Sequence, residues 1–178
     1  VEYNFTTSVD SGGPNFSEYK INFGQQGFQH QPSTFTDLLN SQSLDEPTIP
    51  DGSIYFDLIT YSGNGSQRAL TGLEFSPDWV WVKRRNGSNF HILSDTVRGA
   101  GKYLVSNNSD AESSGGSQLI NGFNSDGFDV GTEAAVNNSS GTYVGWCWDA
   151  GSSTVTNNDG TISSQVRANP SAGFSIVT

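Results

Sequence analysis

The fold is decided by Asp78-Trp79-Val80-Trp81-Val82-Lys83, in which two tryptophans alternate with two valines. A period of two residues is that of a β-strand, because successive side chains of a strand point to opposite faces of the sheet. The run Thr142-Tyr143-Val144-Gly145-Trp146-Cys147-Trp148 alternates in the same way. We expect its tryptophans to share one face of a sheet and Tyr143 and Cys147 to share the other.

Shorter runs with the same period follow along the chain, and turn-forming Gly, Asn, Asp and Ser separate them. They lie at 56–61, 90–93, 102–105 and 127–130. No stretch shows a sustained apolar period of 3.6 residues, and lysine, a good helix former, is scarce. The sequence therefore predicts an all-β fold, a β-sandwich or jelly-roll-like domain flanked by fragments of neighbouring modules.

A polar, proline-containing stretch at 46–53 marks a change in composition and predicts a linker. Residues 1–45 are too few for an independent sandwich of this type, which takes about 100 residues. We therefore interpret 1–45 as the C-terminal part of a preceding sandwich, with its last clear strand at 19–24. Residues 54–150 are then the main β-sandwich domain.

The end of the chain repeats an earlier pattern. Phe174-Ser175-Ile176-Val177-Thr178 matches Phe56-Asp57-Leu58-Ile59-Thr60 in its aromatic, aliphatic and threonine positions. We interpret 171–178 as the first strand of a following module, and the Ser-, Thr- and Asn-rich residues 151–170 as a linker. Methionine is absent, also at position 1, so we expect the chain to be an interior part of a longer protein.

The chain is acidic, with a net charge of −10 and a pI near 4.3. This charge argues against nucleic acid as a partner, because phosphates require a basic surface. No apolar run reaches the roughly 18 residues of a membrane span, so we expect no membrane insertion. The single cysteine, Cys147, has no partner for an intrachain disulfide or a metal site, and we expect a buried structural thiol.

His91, Ser94 and Asp95 are the residue types of a hydrolase triad. They are too close in the sequence for the usual geometry of nucleophile, base and orienting group, and no nucleophile elbow is present. His91 adjoins Ile92 and Leu93 in a strand pattern, which favours a structural role. The sequence therefore assigns no catalytic residue and predicts a protein that is not an enzyme.

Charged side chains offer two further candidate contacts. Asp95 and Arg98 are spaced for a carboxylate–guanidinium contact that would hold a turn, and contact with a ligand is the alternative. Lys83-Arg84-Arg85 is a basic cluster too small for nucleic acid. We expect Arg84 and its neighbours to contact acidic surface nearby or on a neighbouring subunit.

The residues 124–129, Asn-Ser-Asp-Gly-Phe-Asp, have some features of a calcium loop. They carry Phe128 at the fifth position, and no glutamate stands at the twelfth, so they fail the EF-hand pattern. We predict a tight turn at this point, and we expect neither a bound metal nor a cofactor.

The four tryptophans, Trp79, Trp81, Trp146 and Trp148, allow two interpretations. Paired across neighbouring strands they would form the core of the sandwich, with Trp81 and Trp146 largely buried, and this is the favoured interpretation. Exposed on one face they would instead form a platform on which sugar rings stack.

Five segments of the chain resemble one family of proteins. They are 61–66, 76–85, 95–99, 124–128 and 143–148. In residues, order and spacing they resemble a domain of unknown function found in structural proteins of marine tailed bacteriophages, over 54–178. Upstream, the residues 21–28, Ile-Asn-Phe-Gly-Gln-Gln-Gly-Phe, resemble the end of a SPRY or concanavalin-like sandwich.

The resemblance implies a non-enzymatic structural module of a bacteriophage virion appendage, a tail fibre or similar, for host-surface attachment or display. It places the protein on the virion surface or outside the cell. The expected partners are other copies of the chain in a trimer, other virion proteins and a host-surface glycan. The alternative is a carbohydrate-binding module of a secreted bacterial enzyme or adhesin.

Overall fold

The computed structural model describes residues 4–8, 18–22 and 47–178. The chain separates into two units, Val1–Pro50 and Asp51–Thr178. In the first unit, strand β1 (Asn4–Ser8) pairs antiparallel with β2 (Glu18–Asn22). The residues 21–28 that resemble a SPRY sandwich lie mostly outside the described residues, so the assignment of 1–45 stays a prediction.

The second unit is built from short antiparallel strands. They are β3 (Phe56–Ser62), β4 (Arg68–Thr71), β5 (Trp79–Arg84), β6 (Ile92–Asp95), β7 (Lys102–Val105), β8 (Ser113–Ser114), β9 (Ile120–Asn124), β10 (Gly127–Val130), β11 (Thr142–Trp148), β12 (Thr154–Asn157), β13 (Ser164–Asn169) and β14 (Phe174–Val177). In the described part of the chain, helix is confined to α1 (Ala134–Asn137) and to the 3₁₀ turns Gly52–Ile54 and Gly116–Gln118. The predicted all-β fold is confirmed.

The strands form three sheets in this unit. A six-stranded sheet has the order β3-β11-β5-β6-β7-β8, and a three-stranded sheet has the order β4-β10-β9. These two sheets pack face to face as a sandwich, because the buried side chains of both belong to one apolar cluster. A third sheet, which we call the C-terminal sheet, has the order β12-β13-β14.

The core fills the space between the two sandwich layers. The six-stranded sheet contributes Val80, Val82, Ile92, Tyr143 and Cys147, and the three-stranded sheet contributes Leu70, Ile120, Phe128 and Val130. The hydroxyl of Tyr143 donates to the Ala134 carbonyl at 2.8 Å and accepts from the Asn138 N–H at 2.8 Å. These bonds satisfy a buried polar group and fasten the short helix α1 to the sheet.

The tryptophans lie on the other side of the six-stranded sheet. Trp146 of β11 stands opposite Trp81 of β5, and Trp148 stands opposite Trp79. All four are only partly buried, and none belongs to the core cluster. The favoured interpretation as sandwich core is therefore wrong. The alternation in the sequence predicts which side chains share a face, but the core side was decided by the second layer, which packs against the valines.

The C-terminal residues also differ from the prediction. The residues 151–170, predicted as a linker, contain strands β12 and β13. Strand β14, predicted to open a following module, pairs with β13 and buries Ile176 to 7% exposure. All four residues of β12 are exposed, so most of them can be polar. An exposed polar strand has the composition of a linker, which is why the sequence predicted one.

Gly145 in the middle of β11 supplies a test of the sandwich packing. A Cβ at this position would lie 2.8 Å from Phe128 Cζ in the core. We expect Gly145→Ala to lower the free energy of unfolding by about 1–3 kcal/mol, because it overpacks the core. Denaturant titration measures this difference. A matched control is Gly52→Ala, since a Cβ at Gly52 meets nothing within 4 Å. Equal stability of the two variants would contradict the packing described here.

Candidate functional site: the outer aromatic face

The outer face is the face of the six-stranded sheet that points away from the core. Its middle row crosses five strands in register: Leu58, Trp146, Trp81, Leu93 and Leu104. A second row beside it contains Phe56, Trp148, Trp79 and Asp95. Two mainly apolar rows on the face opposite the core form an unusual surface, because the outer face of an antiparallel sheet normally carries polar residues.

Aromatic rings contact each other along both rows. The centroids of Phe56 and Trp148 are 4.8 Å apart, and those of Trp148 and Trp79 are also 4.8 Å apart. Trp81 meets Trp146 edge to face at 5.4 Å. These distances are those of favourable aromatic pairs, so the rings stabilise one another while remaining partly open to solvent.

The C-terminal sheet covers one end of the outer face. Phe174 stacks on Trp79 at 5.5 Å and on Trp148 at 5.9 Å between centroids. The opposite end stays open, since Phe56 is 42% exposed and Leu58 is 44% exposed. The outer face is thus divided into a part covered by its own chain and a free part around Phe56, Leu58 and Trp146.

Asp78 attaches the C-terminal sheet to the sandwich. Its buried carboxylate accepts hydrogen bonds from Thr96 Oγ1 and from the Ala150 N–H, both at 2.9 Å. Arg167 Nε of β13 lies 2.8 Å from Asp78 Oδ1 without meeting hydrogen-bond geometry, so this contact is an ion pair. Burial raises the pKa of Asp78, and its hydrogen bonds act in the opposite direction.

Asp95 and Arg98 form the contact that their spacing predicts. The Asp95 carboxylate is buried and accepts from the Arg98 N–H at 2.8 Å, and it pairs with Nη1 of the same guanidinium. Arg98 Nε donates to Glu112 Oε2 at 3.1 Å. The pair therefore holds the turn after β6 in place.

A groove opens between the outer face and the C-terminal sheet. We call it the outer groove; its volume is about 160 Å³. It is lined by Trp79, Leu93, Asp95, Arg98, Leu104, Phe174, Ser175 and Ile176. Its walls are mainly apolar, and the buried Asp95–Arg98 pair stands at one side.

The triad residue types are not assembled into a catalytic site. Ser94 Oγ donates to the Lys102 carbonyl at 3.0 Å, and Asp95 pairs with Arg98. His91 lies against Trp81, with 6.3 Å between ring centroids. Partial burial, and then the charge of Lys83, lower the pKa of His91.

Arg84 has partners other than those expected. Its guanidinium donates to Asn86 Oδ1 at 3.1 Å, to Asn89 Oδ1 at 3.2 Å and to Ser140 Oγ at 3.3 Å. These partners are neutral, so among the described residues Arg84 contacts polar groups rather than acidic surface, and its contact with a neighbouring subunit stays a prediction. Arg84 is the last residue of β5, so its guanidinium lies beside the polar residues of the β5–β6 and α1–β11 loops.

The turn predicted at 124–129 is the β9–β10 hairpin, where Asn124 Nδ2 donates to Asp129 Oδ1 at 2.8 Å. Among residues 4–8, 18–22 and 47–178, no three His, Cys, Asp or Glu side chains are grouped to hold a metal ion. Nor does that part of the chain contain a helix long and apolar enough to cross a membrane.

Several residues of the outer face are not among the candidate site residues that the sequence predicts. They are Phe56, Leu58, Leu93, Leu104, Phe174 and Ile176. A signal was present for the first two, because Phe56 and Leu58 alternate in the same way as the tryptophans. For Leu93 and Leu104 no local signal exists, since only strand pairing brings them beside Trp81.

Residues 51–178 match the family described as "Domain of unknown function (DUF7483)". The chain belongs to this family. No curated protein and no solved structure matches it. The DUF7483 match includes the C-terminal sheet, in agreement with the packing of Phe174 and Ile176 on the outer face.

The Asp78–Arg167 pair should hold the C-terminal sheet of the DUF7483 domain in place. We expect Arg167→Gln to lower the free energy of unfolding by about 3 kcal/mol, because it leaves a buried carboxylate without its cation. Adding Asp78→Asn should recover part of this loss, and a double-mutant cycle in denaturant measures the coupling. Strictly additive effects would show that the pair does not interact.

Cys147 of the DUF7483 domain should be chemically inert in the folded state. Burial, and secondarily the charge of Asp57, raise the pKa of its thiol to about 12. At pH 8 the reactive thiolate is then only about one molecule in 10⁴. We expect iodoacetamide to label Cys147 in denaturant and to leave the native protein unmodified over the same period. Rapid native labelling would contradict the burial.

Proposed function

We propose that the chain is a non-enzymatic structural module of a bacteriophage virion appendage, a tail fibre or similar, whose outer face serves in host-surface attachment. The observation that carries the proposal is the free part of that face, where Phe56 and Leu58 are 42% and 44% exposed beside Trp146. Contiguous exposed apolar surface on a soluble domain is characteristic of an interaction site.

The edge of the sheet is less suited to such a contact than its face. Strand β3 is the edge strand beside β11, and an unprotected edge invites pairing with other strands. The Leu58 N–H, however, donates to the carboxylate of its neighbour Asp57 at 2.7 Å. This bond occupies a backbone donor that strand addition would need, so the flat aromatic face is the better surface for a partner.

The charged residues of the domain support a structural role as well. The carboxylates of Asp78 and Asp95 are engaged with Arg167 and Arg98, and these pairs join strands and turns. A catalytic acid or base would instead need an oxygen free to exchange a proton with a substrate. The described contacts of these side chains therefore fit a scaffold that displays a surface.

The location can be tested on particles assembled with the full chain. Antibodies raised against the chain and coupled to gold should label the tail appendages in electron micrographs. Label that is absent from particles, with the protein free in the medium, would overturn the proposal of a virion component.

Attachment is tested by the adsorption of the fluorescently labelled full chain to host cells. We expect Leu58→Ser together with Phe56→Ser to reduce adsorption at least tenfold, because the free part of the outer face loses its apolar contacts. The matched control is Val155→Ser, which removes a side chain that is 57% exposed on the C-terminal sheet. Equal adsorption of all variants, with unchanged melting temperatures, would exclude the outer face as the attachment surface.

A carbohydrate-binding module is the second candidate, favoured by the partly exposed indole of Trp146. Aromatic faces suit sugar rings, and Trp146 lacks the stacked cover that Phe174 gives to Trp79. On this candidate, Trp146→Ala should abolish binding on a glycan array, whereas Trp79→Ala should retain it. An array on which the unaltered chain binds no glycan would count against this candidate.

A further inference from the structure

One large apolar side chain projects from the C-terminal sheet into solvent. Ile162 is 81% exposed, more than the other exposed large apolar residues in the described part of the chain. It lies in the loop between β12 and β13, whose other residues are polar or glycine. A single exposed isoleucine is common on protein surfaces and needs a complementary surface before it indicates a contact.

The outer groove is such a surface. Five of its lining side chains, Trp79, Leu93, Leu104, Phe174 and Ile176, are apolar. Its volume of about 160 Å³ is close to that of apolar cavities, about 150 Å³, that accept a benzene-sized group. A branched aliphatic side chain is of the right size and chemistry for this space.

The polar groups at the groove suit a side chain better than a sugar. A sugar requires several free donors and acceptors, since its hydroxyls lose water on binding. The Asp95 carboxylate is taken by Arg98, and Arg98 Nε is taken by Glu112. In the described structure this leaves Arg98 Nη2 as the guanidinium nitrogen without a hydrogen-bond partner. The groove is therefore poor in the groups that would recognise a saccharide.

The polar groups beside the two features are compatible. Asp159 lies in the same loop as Ile162, three residues before it. Asp95 and Glu112 balance the charges of Arg98 and Lys102, so the rim of the groove carries no net positive charge. The Lys102 side chain is 52% exposed and lies 3.8 Å from Glu112, so its ammonium group still has donors for a further carboxylate.

We propose that Ile162 of one copy of this chain inserts into the outer groove of a second copy, with Asp159 facing Arg98 and Lys102. This inference rests on the proposed function, because for a module of a virion appendage the expected partners include other copies of the chain. Ile162 is open to solvent in its own chain, so its own groove does not hold it. A contact between two different patches is heterologous, and it closes into a ring such as a trimer or extends into a filament.

The contact is tested by sedimentation velocity on the full chain. We expect the unaltered chain to associate as its concentration rises, and Ile162→Asp to weaken that association at least tenfold. Val155→Asp is the matched control on the same sheet and should associate as the unaltered chain does. An unaltered chain that stays monomeric at about 100 μM, a concentration far above the usual dissociation constants of stable interfaces, would overturn the proposal. So would an Ile162→Asp variant that associates normally.

A mixing experiment separates a heterologous contact from a symmetric one. Leu93→Asn and Leu104→Asn, each of which makes the groove polar, should each prevent association alone. Either groove variant mixed with Ile162→Asp should form a one-to-one dimer, because each pair still has one intact isoleucine and one intact groove. Failure to form it, when both partners retain their melting temperatures, would overturn the proposal. Adsorption to cells is a separate measurement on Phe56 and Leu58, so the two proposals can fail independently.

Discussion

The contacts of the buried residue Asp78 hold together four strands of the second unit. Its N–H donates to the Trp148 carbonyl at 2.8 Å, and its own carbonyl accepts from the Thr96 N–H at 2.9 Å. Its carboxylate holds the Thr96 hydroxyl, the Ala150 N–H and the Arg167 guanidinium. A buried carboxylate is costly unless each oxygen is engaged, so the ends of β5, β6 and β11 and the middle of β13 must be placed together. The position of the C-terminal sheet follows from this requirement.

The placement of that sheet determines what the outer face can do. With Arg167 held at Asp78, Phe174 covers Trp79, and Ile176 closes one side of the outer groove. The remaining part, around Phe56 and Leu58, is left without a cover from the described residues of its own unit. One domain thus offers a flat aromatic surface and a narrow apolar groove, and the two suit different partners. The flat surface suits a large and shallow partner, and the groove suits a single inserted side chain.

The two layers of the sandwich explain why aromatic residues are free for such a surface. Phe128 and Tyr143 are fully buried in the core, together with valine, isoleucine and leucine. Gly145 leaves no side chain where the Phe128 ring approaches β11, so the layers come close. A core closed in this way has no room for four indole rings. The tryptophans therefore stand on the opposite face, where mutual ring contacts replace burial in a core.

The sequence by itself determined the all-β class, the strands around 79–84 and 142–148 and the sharing of faces within each strand, because a period of two is a local property of the chain. It also predicted the Asp95–Arg98 contact, which depends on a spacing of three residues in the sequence. Only the tertiary structure decided which face of the six-stranded sheet is the core, since both faces of β5 and β11 carry apolar residues. It alone brought Arg167 to Asp78 and Phe174 to Trp79, because contacts between residues far apart in the chain depend on the packing of whole sheets. The outer groove is a product of those distant contacts.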